Sequence, residues 1–151
     1  MKNIIIVFTS ALLLIACQDN DKKAKGTSSD SLVAAERAKA LTDSANFTTL
    51  VWIDSTTKDL GKMNKGESLE ISFRFKNTGT KNLIIESVSA QCGCTIPEKP
   101  EEPIAPGQEG IIKAKYNGSG SGTISKQIYV RANTSPSVDH TLTFRGEMQE
   151  K

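Results

Sequence analysis

From Thr48 onward, apolar and polar residues alternate with a period of two. Successive side chains of a β-strand point to opposite faces of the sheet, so this period predicts strands with one buried face. Half-buried strands of this kind are typical of antiparallel sheets. Four segments alternate clearly, and two more are continuously apolar: residues 70–76, 112–116, 128–132, 138–144, 50–53 and 83–90.

Clusters of Gly, Asn, Asp, Ser and Pro separate these segments. These residues favour turns because they adopt positive φ or form local hydrogen bonds to the backbone. We predict turns at residues 59–66, 77–82, 118–122 and 133–137. Six or seven short strands in about 100 residues predict an all-β domain, a β-sandwich.

The first seventeen residues follow a different pattern. Lys2 precedes an apolar run of twelve positions, Ile4 to Ile15, and Ala16 and Cys17 close the segment. A helix of that length reaches roughly 18 Å, whereas the hydrocarbon core of a bilayer is about 30 Å thick. The segment is therefore too short for a membrane span, and it has the features of a secretory signal peptide.

Leu14-Ile15-Ala16-Cys17 resembles the lipobox of bacterial lipoproteins. The resemblance implies that residues 1–16 are removed and that Cys17 is acylated, palmitate being one such lipid, and becomes the mature N-terminus. Two or more acyl chains give stable anchoring, so we expect the protein on a membrane of the cell envelope, the outer membrane, at its periplasmic or surface face. The alternative is an ordinary secreted protein in which Cys17 is incidental.

A polar segment follows the cysteine. Residues 18–30 contain no apolar residue larger than Ala24, so they cannot bury enough surface to offset the entropy of ordering. Asp30 or Ser31 could cap a short helix that ends near Leu41, although such a helix is marginal alone. We thus expect three parts: a signal peptide (1–16), a lipidated cysteine with a disordered or partly helical tether (17–46), and the sandwich domain (47–149).

The charge of the chain indicates no polyanionic partner. Nineteen Lys and Arg residues face seventeen Asp and Glu residues, and the formal net charge is +2. The basic residues are scattered among acidic ones and form no patch interleaved with aromatics. We therefore expect no nucleic-acid partner.

Four prolines recur at every third residue: Pro97, Pro100, Pro103 and Pro106. This period matches the three residues per turn of a polyproline II helix. An extended strap of this length spans roughly 28 Å, which suits a crossover from one sheet of the sandwich to the other. The alternative is a proline-rich docking ligand.

Several motifs carry a family resemblance: Phe73-Arg74-Phe75-Lys76-Asn77-Thr78-Gly79, Gln91-Cys92-Gly93-Cys94-Thr95, Pro103-Ile104-Ala105-Pro106-Gly107 and Gly146. They resemble the bacterial domain-of-unknown-function family fifteen-seventy-three over residues 48–148. The resemblance implies an immunoglobulin-like antiparallel β-sandwich of about seven strands, related to major sperm protein and ciliary repeat domains. It implies no established activity.

The residues offer little for catalysis. The only histidine, His140, is in phase with Leu142 and Phe144, and we interpret it as a satisfied side chain at a strand end. A triad of Ser125, His140 and Asp139 fails, because adjacent strand residues point to opposite faces. We expect no enzyme activity, no metal site and no cofactor.

Cys92 and Cys94 form the remaining candidate site. If the strand continues through them, both lie on one face with their sulfurs close together, and export favours oxidation. A loop this short gains only roughly 1.6 kcal/mol from chain entropy. Three interpretations stay open: structural cysteines, paired or free, a labile redox pair, and ligands for a soft metal that would need His140 or a second chain.

These observations favour a lipid-anchored module of the cell envelope that works by binding a protein partner or by assembly. The alternative is an envelope thiol protein that uses Cys92 and Cys94 for redox exchange or soft-metal binding.

Overall fold

The computed structural model describes residues 42–150, together with Ala35, Ala38 and Lys39. The expected signal peptide, Cys17 and nearly all of the expected tether helix lie outside the described residues. Among the described residues, no helix is long and apolar enough to cross a membrane.

Eight strands form two four-stranded sheets. After a single 3-10 turn at Ser44–Asn46, the strands are β1 (Leu50–Trp52), β2 (Thr57–Asn64), β3 (Leu69–Asn77), β4 (Ile85–Ala90), β5 (Thr95–Glu98), β6 (Glu109–Tyr116), β7 (Gly122–Ala132) and β8 (Asp139–Gln149). The first sheet has the order β1-β3-β6-β5, and the second has the order β2-β8-β7-β4. The expected all-β, immunoglobulin-like sandwich is confirmed.

The core lies between the two sheets, where the inward residues of each alternating segment meet. Phe73 and Phe75 of β3 are fully buried, as the alternation predicts. Tyr116 of β6 and Phe144 of β8 bridge the sheets, with ring centroids 5.3 Å apart. Burying large apolar side chains on both inner faces supplies most of the stability of such a sandwich.

One predicted turn is wrong, because residues 59–66 mostly belong to strand β2. This strand pairs with β8 in parallel, an exception to the expected antiparallel arrangement. The register shifts between Asp59 and Lys62, and Gly61 between them has a φ of 64°. The turn-forming residues therefore mark a β-bulge inside a strand rather than the end of one.

The predicted proline crossover is also wrong. Pro97 lies within β5, and both β5 and β6 belong to the first sheet, so residues 99–108 connect two neighbouring strands. Within this connection Ile104 exchanges two backbone hydrogen bonds with Leu83. An edge strand is extended and tolerates a missing N–H group, so proline spacing alone could not separate it from a polyproline strap.

Candidate functional site

The Cys92–Cys94 turn, and not the proline segment, makes a crossing between the two sheets. It links β4 in the second sheet to β5 in the first. The two cysteines form a disulfide with Cα atoms 5.2 Å apart. Gln91 N–H donates to the carbonyl of Gln127, and Asn117 N–H donates to the carbonyl of Cys94, each at 3.0 Å. The disulfide thus braces a corner that is anchored to both sheets.

The chemistry of this corner follows from its oxidised state. Both cysteines are half-buried, and Cys94 packs against the hydrophobic core. Because the sulfurs are bonded to each other, neither is a thiolate that could attack a substrate or bind a metal. Within residues 42–150 and the three described residues before them, no group of three or more His, Cys, Asp or Glu side chains could hold a metal ion.

His140 lies away from this corner and is hydrogen-bonded. Its Nε2 is 2.8 Å from Oγ1 of Thr134, and that hydroxyl donates its proton to the carbonyl of Ser137 at 2.6 Å. The Thr134 oxygen therefore accepts from Nε2–H, which assigns the proton of the neutral ring to Nε2. Burial lowers the pKa of His140, and the charge of Asp139 opposes this effect. His140 is a neutral, partnered side chain near neutral pH.

Asp139 does not orient His140. Its carboxylate binds the guanidinium of Arg131 at 3.0 Å. Trp52 is half-buried against the core and stands edge-on to Phe75, with ring centroids 5.6 Å apart. The placement of His140 agrees with the structural role expected for it, and Trp52 also packs as part of the core's edge.

The outer face of the first sheet carries an apolar cluster that the sequence analysis did not identify. Among the described residues, five large hydrophobic side chains are exposed: Val51, Ile53, Ile96, Ile111 and Tyr129. The first four of them lie on or beside this face. Ile53 N–H donates to the carbonyl of Arg74, and Arg74 pairs in register with Ile111. We call Val51, Ile53, Arg74 and Ile111 the Arg74 patch.

An ion pair fixes the arginine at the centre of this patch. Arg74 Nε and Nη2 donate to Oδ1 of Asp54 at 3.2 and 2.9 Å, and the Arg74 backbone N–H donates to Oδ2 at 3.1 Å. Lys58 donates to the same carboxylate at 3.1 Å. The Arg74 guanidinium holds the pKa of Asp54 well below its usual range. Arg74 is therefore pre-oriented, so less entropy is lost when a partner binds it.

A shallow groove continues from the patch. Its volume is about 390 Å³, and its apolar lining comes from Pro100, Ile104 and Ile111. Ile111 thus belongs to both the patch and the groove. The alternation in β6 could have shown that Ile111 is an apolar residue on the outward face. It could not show that Ile111 lies near Ile53, which is 58 positions earlier in the sequence.

The family assignment rests on most of the domain. The profile of the family described as "Protein of unknown function (DUF1573)" matches residues 51–148. The chain belongs to this family. The match confirms the resemblance carried by the Asn77-Thr78-Gly79 and Cys92-Gly93-Cys94 motifs.

Solved structures show the same fold at low sequence identity. A protein of unknown function from Porphyromonas gingivalis W83 is 18% identical with a TM-score of 0.60, covering 70% of this chain and 49% of that one. The seventh PapD-like domain of human CEP192 is 13% identical with a TM-score of 0.55, covering 70% and 89%.

A third structure, the secreted serine protease VesC from Vibrio cholerae, is 13% identical with a TM-score of 0.53, covering 67% of this chain and 23% of the protease. This chain therefore spans about half of the Porphyromonas protein and about a quarter of the protease. Among curated proteins, no sequence matches this chain. At these identities the similarity establishes the fold alone.

Proposed function

We propose that this protein is a lipid-anchored, non-catalytic module of the cell envelope that binds a protein partner through the Arg74 patch. The observation that carries the proposal is the clustering of exposed aliphatic side chains around a fixed arginine. Ile53 is 41% exposed beside Arg74, and Val51, two residues earlier and opposite Lys76 in register, is 53% exposed. Contiguous exposed apolar surface marks interaction sites, and arginine is enriched among the residues that dominate binding energy.

The anchor part of the proposal rests on the sequence that ends at Cys17. A cysteine at that position, directly after a short apolar segment and before a polar stretch, suits lipidation. The sequence predicts a polar tether over residues 17–46, and thirty residues treated as a coil have a root-mean-square reach of roughly 30 Å. Such a tether would let the Arg74 patch face a partner clear of the lipid headgroups.

Site-specific photocrosslinking in the native cell tests the partner. A photoreactive residue replaces Ile111 in the patch or, as a control, Glu147 on the outer face of the second sheet. We expect a defined adduct from position 111 alone, and we expect Arg74→Glu to abolish it, because the reversed charge repels Asp54 and disorders the patch. Equal adducts from both positions, or none from position 111, would contradict the proposal.

A second candidate function is thiol exchange at Cys92 and Cys94. The observation that favours it is a disulfide that closes over a single residue, Gly93, at a half-buried corner. A redox titration distinguishes it from the structural role, and its expected outcome is given in the Discussion.

A further inference from the structure

The open side of the sandwich between β4 and β5 contains a second groove. β4 and β5 are end strands of different sheets, and the disulfide corner joins them. The volume between them is about 590 Å³. We call this space the β4–β5 groove, and the residues that matter for its chemistry are Glu86, Val88, Pro97, Glu98, Lys99 and Glu101.

We propose that the β4–β5 groove binds an extended, lysine- or arginine-containing polypeptide segment of another protein, which adds to β4 as a fifth strand of the second sheet. This site shares Glu98 and Lys99 with the groove beside Ile111, contains none of the four residues of the Arg74 patch, and does not require the lipid anchor.

The backbone of β4 is available for pairing. Gln91 N–H bonds to the carbonyl of Gln127 in β7, and peptide groups along a strand alternate in direction. Ser89 and Ser87 therefore face β7, whereas the N–H and C=O groups of Val88 and Ala90 point to the opposite edge. In the part of the chain that the structure describes, no strand pairs with that edge at Val88 and Ala90, although Leu83, just before β4, is bridged to Ile104.

The facing edge of β5 is blocked. Cys94 C=O bonds to Asn117 beyond β6, so alternation turns Thr95 and Pro97 toward the groove. Pro97 has no N–H group, and Thr95 N–H is already bonded to the carbonyl of Cys92 at 3.3 Å. Proline on an edge strand prevents pairing, so an incoming strand would add to β4 and not to β5.

The groove also offers contacts for side chains. Val88 and Pro97 are half-buried, and Val88 packs against the core, so they provide an apolar floor. Alternate side chains of an added strand would point to this floor, and the others would point to its rim. In strand addition the main-chain bonds supply affinity, and such pockets supply specificity.

The charge of the groove lining favours a basic segment. Three carboxylates line the groove against one lysine. Lys99 binds Glu101 at 3.2 Å, and Glu86 binds Arg131 outside the groove at 3.0 Å. Counted over its lining, the groove keeps an excess of negative charge, and Glu98 lies at its rim, in phase with the exposed Ile96 and opposite Lys113 in register. Complementary charge speeds association and disfavours acidic partners.

The disulfide contributes by fixing the corner where the two edges meet. With Cys92 bonded to Cys94, the turn that joins β4 to β5 has less conformational freedom before a ligand arrives. Preorganisation of this kind raises affinity because less conformational freedom is lost on binding.

The test uses the full chain, purified in the form that its own cell produces, and a fluorescent ten-residue probe of alternating valine and lysine. A matched probe replaces each lysine with glutamate, and a third carries N-methyl groups on alternate backbone nitrogens. We expect the lysine probe to bind about tenfold more tightly than the glutamate probe at low salt, and this ratio to fall as salt is added. When the methylated nitrogens are those whose N–H groups would face β4, the probe should not bind.

Two variants locate the site. Val88→Pro removes an N–H group that faces the free edge, so it leaves the hydrogen bonds between β4 and β7 intact. It should lower the affinity for the lysine probe about tenfold or more. Glu98→Gln should lower the affinity for the lysine probe several-fold, whereas Glu147→Gln on the outer face of the second sheet should leave it unchanged. Amide exchange at Val88 and Ala90 should slow when the lysine probe binds.

Several results would overturn the proposal. One is an unchanged affinity of the Val88→Pro variant for the lysine probe, and another is equal affinity for the lysine and glutamate probes. A third is binding that persists whichever alternate set of probe nitrogens is methylated. A dimer in sedimentation that Val88→Pro dissociates would show that a second copy of this chain occupies β4 instead. Because the methylated probes test the edge without any substitution, the outcome does not depend on the folding of a variant. A failed crosslink at Ile111 would leave this site unaffected.

Discussion

Oγ1 of Thr48 donates a 2.8 Å hydrogen bond to Oδ1 of Asn77, and both side chains are buried. The same Asn77 oxygen accepts from Gly79 N–H, while Nδ2 donates to the carbonyls of Lys81 and Ile104 at 2.7 and 2.8 Å. One amide therefore joins the start of the domain, the end of β3 and the connection that precedes β6. Buried polar groups stabilise a fold only when they are fully paired, as here.

Asn77→Leu should strongly destabilise the domain. The substitution introduces an apolar side chain and leaves the buried Thr48 hydroxyl, the Gly79 N–H and the part-buried carbonyl of Lys81 without this partner, whereas the Ile104 carbonyl keeps Leu83 N–H. Each unsatisfied buried group costs about 1–3 kcal/mol, so we expect a loss of about 3 kcal/mol or more in the free energy of unfolding, measured in urea. Thr78→Val at the exposed neighbouring position is the control, and an equal loss there would contradict this account.

Gly79 is required by close approach and not by backbone conformation. A Cβ atom at this position would lie 2.1 Å from Oγ1 of Thr48 and 2.6 Å from the backbone N of Thr49. Gly79→Ala should therefore cost about 1–3 kcal/mol, because the strand entering the domain must shift. Gly93→Ala is a matched control, since nothing lies within 4 Å of a Cβ there. Similar melting temperatures for the two variants would show that the Thr48 segment adapts freely.

Truncating a central aromatic side chain of the core should strongly destabilise the domain. Phe73 is fully buried, so Phe73→Ala should reduce the free energy of unfolding by about 3–5 kcal/mol. Ile96→Ala is the control, because Ile96 is 63% exposed and should change stability by under about 0.5 kcal/mol. Although Arg74 is also exposed, its ion pair with Asp54 connects β3 to the segment after β1, so its truncation would not be a neutral control. Comparable losses for Phe73→Ala and Ile96→Ala in urea unfolding would refute the assignment of the two faces.

His140 should make stability depend on pH. Burial lowers its pKa in the folded state below the usual 6.5, so the unfolded chain binds a proton more readily. Stability is complete above pH 6.5 and is lost as the pH falls from 6.5 through the lowered pKa. Below that value both states are protonated, and the loss from His140 stops. Asp139 is the charged neighbour that limits the shift.

The measurement is the free energy of unfolding from pH 7.5 to pH 5 for the wild type and His140→Gln. We expect a smaller decline for the variant. Parallel pH profiles would mean that His140 is equally hydrated in the folded and unfolded chain.

The parts of the fold that could be predicted are those in which burial follows the local alternation. Segments such as β3 and β6 have one uninterrupted inward face, so their sequence alone identifies them. In β2 the inward Lys58 lies over the ring of Phe73, with Nζ 5.2 Å from the centroid, and the bulge at Gly61 shifts the phase. β5 is four residues long and contains Pro97, so it carries no periodic signal.

The candidate sites depend on pairing between distant segments. The Arg74 patch exists because β1 and β6 flank β3, and the β4–β5 groove exists because β4 ends its sheet. Neither relationship is encoded within a window of a few residues. The sequence does identify Cys92 and Cys94 as a pair, because a single residue separates them, but the sheet crossing at that turn depends on the order of the strands.

The last prediction concerns this cysteine pair. Replacing both residues in Cys92→Ser with Cys94→Ser should leave the fold intact and lower the melting temperature modestly. The short loop limits the entropic gain of the disulfide to roughly 1.6 kcal/mol, whereas the hydrogen bonds of Gln91 and Asn117 still tie the corner to both sheets. Thermal unfolding of the oxidised wild type, the reduced wild type and the double variant gives the comparison, with Gly93→Ala as a variant that keeps the disulfide.

A redox titration of the wild type then separates structural from exchange chemistry. A structural disulfide should resist reduction and titrate below about −300 mV. A reversible two-electron couple between about −270 and −120 mV, the range of thiol oxidoreductases, would overturn the structural assignment. In that case the turn at Gly93 would gain conformational freedom on reduction while the hydrogen bonds of Gln91 and Asn117 keep it tied to both sheets, and binding in the adjoining groove should weaken modestly when the disulfide is reduced.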